Sequence, residues 1–278
     1  MPTLQSIAAV HGARVLDRTE LAPGVIVLSL HAPELVYVTR PGHFVMVTPP
    51  GGQTAAVALG IYEAQDERAS IMFIVAGART HALAGVAPGA TLDLFGPLGN
   101  GFDLCAAPRN VAIVAGGVGI ASVLLPAQAL IAGGARVRLF YGARTESLLV
   151  DAQKFNAAGC EVITATDDGT SGHHGFITEV LESSPDPPEL ILACGPSPML
   201  RAVSRVSRAA GIPAQLSLEE TFACGVGACW GCVVPIDRAS AQAPRFPMLS
   251  TDGNNSHSPV YARICKEGPV FWAHELRW

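Results

Sequence analysis

The sequence contains few charged and few aromatic residues. Asp, Glu, Lys and Arg make up only 15% of its 278 residues, aromatic residues make up 6%, and the formal net charge is −5. Without an excess of basic residues the chain has no positive field to hold a phosphate backbone, which argues against nucleic-acid binding. Hydrophobic residues make up 49% of the chain. We therefore expect a partner subunit or a buried ligand to cover part of the surface.

The N-terminus lacks the basic segment and long apolar core of a secretory leader. Seven cysteines, an odd number, do not suit a disulfide framework. We expect reduced thiols or metal ligands and a cytoplasmic location. The uncharged run 110–135 is long enough to cross a bilayer, but six Gly and Pro residues interrupt it. A buried strand, a glycine turn and a helix explain this run better than a membrane span.

Changes in composition divide the chain into three regions. Residues 1–105 contain short β segments between Pro and Gly turns, which predict a small antiparallel barrel. Residues 106–215 alternate apolar strands with helical stretches, which predict a parallel sheet covered on both faces. Residues 216–278 are rich in cysteine, and their polar stretch 237–258 is expected to be a surface loop. The predicted fold class is α+β and multidomain: an N-terminal antiparallel β-barrel, a central α/β parallel-sheet domain and a small C-terminal module.

The fold prediction rests on strands and helices predicted for individual segments. Strands are predicted at 25–30, 42–47, 70–75 and 91–95 in the first region and at 111–115, 137–141, 161–165 and 190–193 in the second. Helices are predicted at 122–131, 147–158 and 177–183.

The cysteine spacing in the third region is specific. Cys224, Cys229 and Cys232 are separated by four and two residues, and Cys265 follows after a longer gap. This order is typical of the ligands of a plant-type [2Fe-2S] cluster, in which a tight loop and one distant segment supply four thiolates to two irons. A structural zinc site or buried thiols is the alternative, but zinc sites usually have paired Cys-x2-Cys arms and this chain has one. The other cysteines, Cys105, Cys160 and Cys194, are isolated and are predicted to be small core residues.

Turn residues follow each predicted strand of the second region. Residues 115–120 read Ala-Gly-Gly-Val-Gly-Ile after the first strand, and such a turn can bring backbone amides to a pyrophosphate. In an open α/β sheet the carboxyl ends of the strands form the ligand-binding edge, so a dinucleotide is expected there. The candidate binding residues at this edge are Gly116, Gly117, Gly119, Arg144, Asp168, Gly195 and Pro196.

In combination these motifs resemble the ferredoxin-NADP reductase superfamily, and within it the family of electron-transfer subunits of NAD-dependent dihydroorotate dehydrogenases. The resemblance covers nearly the whole chain. It implies an FAD-binding barrel at 1–105, an NAD(P)-binding domain at 106–215 and a [2Fe-2S] module at 216–278. It also implies that electrons pass between NAD(P)H, FAD and the cluster, and then to or from a flavin-containing catalytic subunit in a hetero-oligomer. The motifs that carry it lie at 41–47, 95–102, 116–119, 166–169, 172–176, 194–196 and 265–271, and in the cysteine motif.

One segment departs from the family pattern. An Arg-x-x-Ser-type segment in the family supplies an Arg to the FAD pyrophosphate and a hydroxyl to the flavin ring, whereas residues 56–62 here read Ala-Val-Ala-Leu-Gly-Ile-Tyr. A lost charge-assisted phosphate contact weakens binding by roughly 1.5–3 kcal/mol, or about one to two decades. We hypothesise that Arg79 replaces the cation and that Tyr62 lies near the flavin; alternatively, Arg79 is a solvated loop charge and Tyr62 a barrel residue. The FAD-binding residues implied by the resemblance or by this hypothesis are Phe44, Leu59, Gly60, Ile61, Tyr62, Gly77, Arg79 and Thr80.

Several alternatives remain open at this stage. The electron acceptor could instead be ferredoxin, a hydrogenase-like complex or an oxygenase, or the barrel could have lost FAD and left a cluster-carrying redox or structural subunit. Arg144 favours the 2′-phosphate of NADPH and Glu146 opposes it, so the sequence does not choose between the two nicotinamide cofactors. The long stretch between Cys232 and Cys265 is either a partner contact or a surface insertion. Because hydride and electron transfer between cofactors need no acid or base, no catalytic side chain is predicted.

Overall fold

The computed structural model describes residues 8–50, 55–105, 108–240 and 260–278. Within them the first region forms a closed six-stranded antiparallel barrel, as predicted. Its core is made by side chains that alternate along the strands, such as Leu28 and Leu30, both 0% exposed. The strands are β1 (Ala8–Ala22), β2 (Val25–His31), β3 (Phe44–Thr48), β4 (Val57–Gln65), β5 (Arg68–Ile74) and β6 (Thr91–Leu98), in the barrel order β1-β2-β5-β4-β3-β6. Two short helices, α1 (Pro33–Val38) and α2 (Ala78–Ala84), connect them.

The predicted central sheet has seven strands in the structure. It is parallel apart from its last pair, in which the final strand runs antiparallel to its neighbour. The strands are β7 (Asn110–Gly116), β8 (Arg136–Ala143), β9 (Glu161–Thr166), β10 (His173–His174), β11 (Leu190–Cys194), β12 (Ala214–Ser217) and β15 (Val270–Trp272), in the order β10-β9-β8-β7-β11-β12-β15. The helices on its faces are α3 (Leu124–Ala132), α4 (Ala152–Ala158), α5 (Ile177–Glu182) and α6 (Ser197–Ala210).

The uncharged run 110–135 forms a strand, a turn and a helix. β7 is followed by the 3₁₀ turn Gly117–Val123 and then by α3. This confirms the interpretation preferred from the glycine and proline positions. Among the residues that the structure describes, no helix is both long and apolar enough to cross a membrane.

The C-terminal region packs directly on the central sheet. It contains the antiparallel pair β13 (Val233–Ile236) and β14 (Val260–Arg263), the single turn α7 (Ile264–Glu267) and β15. Cys232 and Cys265 share one hydrophobic core with Phe140 of β8 and Leu216 of β12. β15 pairs with β12, so the sheet includes residues from beyond position 215. Of the polar stretch 237–258, all but its first residues, 237–240, lies outside the described residues.

Candidate functional site

Two adjoining cavities lie between the barrel and the central sheet. The larger has a volume of about 760 Å³ and follows the carboxyl ends of β7, β8 and β11. The smaller has a volume of about 370 Å³ and lies against β3 and β4. Ile74, Val118 and Glu219 belong to the walls of both. Ligands bound in the two cavities would therefore meet at this shared wall.

Glycines keep the wall of the larger cavity open. Gly117 has φ +52°, and a side chain there would project into empty space, with nothing within 4 Å of its Cβ. Gly119 has a different function, because a Cβ there would lie 2.4 Å from the carbonyl oxygen of Cys194. The predicted residues Gly116, Gly117, Arg144 and Pro196 line this cavity. Gly119 and Gly195 instead let the turn after β7 and the turn after β11 pack against each other.

Asp168 does not line the larger cavity. Its carboxylate accepts hydrogen bonds from the Thr170 hydroxyl at 2.6 Å and the Thr170 N–H at 3.0 Å. These bonds lower the pKa of Asp168 to about 2. The cavity wall contains its neighbour Asp167 instead. Within this loop it is Asp167, and not the predicted Asp168, that lines the larger cavity.

The predicted barrel residues fall into two groups. Phe44, Leu59, Gly60 and Thr80 line the smaller cavity. Ile61, Gly77 and Arg79 do not line either cavity, but each is hydrogen-bonded close to this wall. The Ile61 N–H donates to the carbonyl oxygen of His43 at 3.1 Å, and the Gly77 N–H donates to the Thr80 hydroxyl at 3.1 Å. Arg79 Nη1 donates to the carbonyl oxygen of Ala56 at 3.1 Å, which brings the guanidinium to the segment that lacks the family arginine.

Tyr62 lies between the barrel and α4, outside the walls of both cavities. Its hydroxyl donates to Asp151 Oδ2 at 2.7 Å, and Lys154 Nζ lies 4.7 Å from the centre of its ring. Burial and then the bond to Asp151 raise the pKa of Tyr62 far above its ordinary value. The hypothesis that Tyr62 lies near the flavin is therefore replaced by a contact between domains. Sequence periodicity gives no signal for such a contact.

The sequence interpretation of the isolated cysteines was only partly correct. Cys160 is buried as expected, but Cys105 is exposed. Cys194 is fully buried at the end of β11. Its thiol lies 3.5 Å from Oε1 of Glu219, a residue of the wall that the two cavities share. Burial raises the pKa of both groups. Sequence reasoning missed Glu219 because it follows β12, a strand that was not predicted.

The four cysteines of the motif come together as two pairs. The Cys265 N–H donates to Cys232 Sγ at 3.4 Å, and both residues are buried. Cys224 is half-buried and hydrogen-bonds with the exposed Cys229. A Cβ at Gly227 would lie 2.8 Å from Lys266 Cβ, so the loop that holds Cys224 and Cys229 packs against the residue that follows Cys265.

This arrangement fits the donor set of a two-iron cluster. Each iron of a [2Fe-2S] centre takes two thiolates, so two neighbouring pairs are required. The described residues contain no group of three His, Cys, Asp or Glu side chains positioned around a single metal ion. Partial burial raises the pKa of Cys224, but backbone N–H groups of Cys229, Val226 and Ala228 outweigh it and lower the pKa to about 6. The loop 224–232, here called the cysteine loop, thus directs its amides at sulfur.

Arg263 holds the cysteine loop in place. Its guanidinium donates to the carbonyl oxygen of Gly227 at 2.9 Å and lies 4.7 Å from the centre of the Trp230 ring. The same guanidinium pairs with Glu267, which is 3% exposed. Trp230 has φ +57°, a left-handed conformation that costs free energy in a residue other than glycine. Stacking against Arg263 helps to offset that cost.

The wall of the smaller cavity adjoins the cysteine loop. Phe44 and Phe222 both line the cavity, and their ring centroids are 5.0 Å apart in an edge-to-face contact. Phe222 lies two residues before Cys224 in the sequence. A Cβ at Gly225 would lie 2.7 Å from Met46 Cγ, so the cysteine loop packs directly on β3. The larger cavity, the smaller cavity and the four cysteines are therefore contiguous.

Comparison with known structures supports the fold. The structure of an NADH-dependent reduced ferredoxin-NADP oxidoreductase, described for flavin-based electron bifurcation, matches with a TM-score of 0.81 and 25% identity over 97% of this chain and 91% of that chain. The ferredoxin reductase of carbazole 1,9a-dioxygenase matches with a TM-score of 0.64 and 24% identity over 76% of this chain and 68% of that chain. The second likeness concerns the fold alone.

Sequence comparison identifies the family. Residues 113–205 match the oxidoreductase NAD-binding domain family. The dihydroorotate dehydrogenase B (NAD(+)) electron transfer subunit of Caldanaerobacter subterraneus subsp. tengcongensis is 34% identical over 85% of this chain and 87% of its own length. The corresponding subunit of Desulforamulus reducens is 32% identical over 98% of this chain and 100% of its own length. The chain therefore belongs to the family of dihydroorotate dehydrogenase B electron transfer subunits, within the ferredoxin-NADP reductase superfamily.

Proposed function

We propose that this chain passes electrons between NADH, an FAD in the smaller cavity and a [2Fe-2S] cluster on its four paired cysteines. A flavin-containing catalytic subunit that acts on dihydroorotate exchanges these electrons with the cluster. The observation that carries the proposal is that two cavities and the cysteine loop adjoin in that order, through Glu219 and Phe222. The assignment of residues 1–105 to FAD, 106–215 to the dinucleotide and 216–278 to the cluster is part of the proposal.

The larger cavity is proposed to hold the dinucleotide. Gly116 and Gly117 give the pyrophosphate access to the backbone after β7, and Arg144 and Pro196 border the same space. Asp167, Glu179 and Glu182 also line this cavity. Because these carboxylates outnumber the two arginines of the wall, Arg144 and Arg205, they oppose an additional phosphate, and we favour NADH over NADPH. The relatives named above, which carry NAD(+) in their names, support the same choice.

The smaller cavity fits the ring system of a flavin. Phe44, Leu59 and Phe222 give it apolar walls, and Ser122 and Ser217 place hydroxyl groups in the same wall. Bound FAD would supply the conversion between hydride transfer and single-electron transfer. The chain's own contribution is to orient the two ligands at the shared wall and to exclude water with the aromatic pair.

The two cysteine pairs differ in exposure, and this difference indicates the side of the molecule on which the partner subunit binds. Cys232 and Cys265 face the protein core, whereas Cys229 is exposed. Val226 and Trp230, in the same loop, are 38% and 48% exposed. Apolar side chains grouped at a surface are typical of a protein interface. We infer that the catalytic subunit covers this end of the molecule.

The cysteines also support the proposed location. All seven lie within the described residues as free thiols. Reduced thiols are maintained in the cytoplasm, where we place the protein.

Anaerobic purification followed by flavin and iron analysis tests the proposal. We expect about one FAD and about two irons per chain, as one flavin and one [2Fe-2S] cluster require. NADH should reduce the flavin and the cluster, and so bleach their absorption, faster than NADPH does. A protein that contains iron without flavin would instead be the cluster-carrying redox or structural subunit considered above. A protein without iron would refute the cluster assignment.

A ferredoxin-linked reductase is the second candidate. It is favoured by the structural likeness to the NADH-dependent reduced ferredoxin-NADP oxidoreductase, with its TM-score of 0.81. Purification of the chain with its natural partner separates the two functions. NADH oxidation that depends on orotate would support the first, and NADH-dependent reduction of ferredoxin without any response to orotate would support the second.

A further inference from the structure

Strand β4 provides the smaller cavity with no hydroxyl group. It lines the cavity with Val57, Ala58, Leu59 and Gly60. The lining residues that carry hydroxyl groups are Thr80, Ser122 and Ser217, which belong to other elements. Thr80 is already engaged, because its hydroxyl accepts from the N–H groups of Ala76 and Gly77 at 3.0 and 3.1 Å and donates to the Gly77 carbonyl oxygen.

Ser122 occupies the space beside β4 that a side chain at position 60 would need. A Cβ built on Gly60 would lie 2.8 Å from Ser122 Oγ, closer than real Cβ contacts allow. Ser122 belongs to the 3₁₀ turn Gly117–Val123, on the sheet side of the interface between the domains. Its hydroxyl therefore stands against the barrel wall although it comes from the other domain.

A second contact holds Ser122 in this position. Its hydroxyl lies beside the Cys194 thiol and acts to lower the pKa of that thiol, against the larger effect of burial, and the thiol donates to Glu219 Oε1 at 3.5 Å. The single hydrogen of the hydroxyl is directed to the sulfur, so its acceptor sites remain for a ligand group that donates, such as a ring N–H. Ser122 is half-buried and lines the cavity, so a ligand can reach it.

We propose that the Ser122 hydroxyl hydrogen-bonds with the polar edge of the flavin ring, and that it does so in place of a hydroxyl on β4. This inference rests on the proposed function, since it requires FAD in the smaller cavity. The arrangement then requires glycine at position 60, because any larger residue would displace Ser122. The flavin is held by both domains, so its affinity depends on how the sheet domain sits on the barrel.

Three variants of the whole chain test this assignment: Ser122→Ala, Gly60→Ser and the double variant. FAD affinity and the visible flavin spectrum are measured on anaerobically reconstituted protein, and iron content reports an intact fold. Ser122→Ala should weaken FAD binding roughly three- to tenfold, the loss expected for one neutral hydrogen bond, and shift the flavin absorption bands. Gly60→Ser should weaken it as well, because the new side chain collides with Ser122. The double variant should recover most of the affinity, since the hydroxyl at position 60 enters the space that Ser122 vacates.

The exposed Ser183 provides a matched control. Its hydroxyl bonds to the Glu179 carbonyl oxygen at 2.8 Å within α5, so Ser183→Ala should leave FAD affinity unchanged. If Ser122→Ala bound FAD with the same affinity and spectrum as the wild-type protein, the assignment would be overturned and the proposed function would stand. A double variant weaker than both single variants would also overturn it. Wild-type protein that binds no flavin would overturn the proposed function and this assignment together.

Discussion

Removing one oxygen atom, by the substitution Tyr62→Phe, should loosen the contact between the barrel and the sheet domain. The Tyr62 hydroxyl donates to Asp151 Oδ2 at 2.7 Å, and the two residues are 0% and 7% exposed. Lys154 Nζ lies 3.3 Å from the same carboxylate oxygen and 2.9 Å from Glu63 Oε1. Two consecutive residues of β4 are thereby bound to the start of α4.

The size of the effect follows from the partners that remain. A hydrogen bond to a charged group contributes about 1.5–3 kcal/mol to stability. The lower part of this range applies, because Asp151 keeps Lys154 and a 3.2 Å hydrogen bond from Gln153. We therefore expect the free energy of unfolding to fall by about 1.5–2 kcal/mol in Tyr62→Phe. At about 2–4 °C per kcal/mol this corresponds to a Tm lower by about 3–8 °C.

Thermal unfolding of the flavin- and iron-loaded protein measures this loss, with Tyr141→Phe as the control. Tyr141 is equally buried, but its hydroxyl donates to the Leu148 carbonyl oxygen at 3.2 Å, inside the sheet domain. Tyr62→Phe should also slow the reduction of the flavin by NADH, whereas Tyr141→Phe should not. If Tyr62→Phe lost no more stability than Tyr141→Phe, or left the reduction rate unchanged, the contact would not position the domains.

Three further substitutions test other parts of the molecule. Burial lowers the pKa of His43 from 6.5 to about 4, so below pH 6.5 the unfolded chain binds a proton that the folded chain does not. Folding stability should therefore fall between pH 6.5 and 4, and His43→Asn should remove about 3 kcal/mol of this fall in denaturant titrations; an identical pH profile would contradict it. Arg263→Ala should speed the loss of iron to a chelator, because the Gly227 carbonyl oxygen loses its donor; equal rates would show that Arg263 does not hold the loop. Arg79→Ala should weaken FAD binding by about one to two decades, and unchanged FAD content would rule it out as the replacement cation. Arg201→Ala serves as the control for both arginine variants, since Arg201 stacks on Trp278 and lines neither cavity.

The elements that could be predicted from the sequence are the deeply buried ones, because burial requires them to be made of apolar residues. β7 and β11 are buried on both faces, so they are continuous apolar runs that stand out in the sequence. β1 and α6 were missed for physical reasons. β1 has a register shift between Val10 and Ala13 that interrupts its alternation. α6 keeps the helical spacing, since Leu200, Val203, Ser204 and Ser207 are its buried residues, but two of these four are serines, so a search for apolar residues alone passes over it.

In the candidate site, too, a motif of residues close in sequence could be predicted, whereas contacts between residues distant in sequence could not. The cysteine loop could be recognised as a candidate cluster site because three of its cysteines are close in sequence, at the spacing typical of [2Fe-2S] ligands. The pairing of Gly60 with Ser122 and that of Cys194 with Glu219 join residues from different elements. No local pattern reports such contacts, because each residue alone is compatible with an ordinary core or surface position.

The proposed position of Ser122 adds a consequence for the contact between the domains. If a sheet-domain hydroxyl binds the flavin beside Gly60, then FAD affinity depends on the contact that Tyr62 makes with Asp151. Tyr62→Phe should therefore weaken FAD binding in the wild-type background but have no further effect in the Ser122→Ala background. FAD titration of the two single variants and the double variant measures this coupling. Additive losses would show that the two hydroxyls affect flavin affinity independently, and that the Tyr62 contact does not act through Ser122.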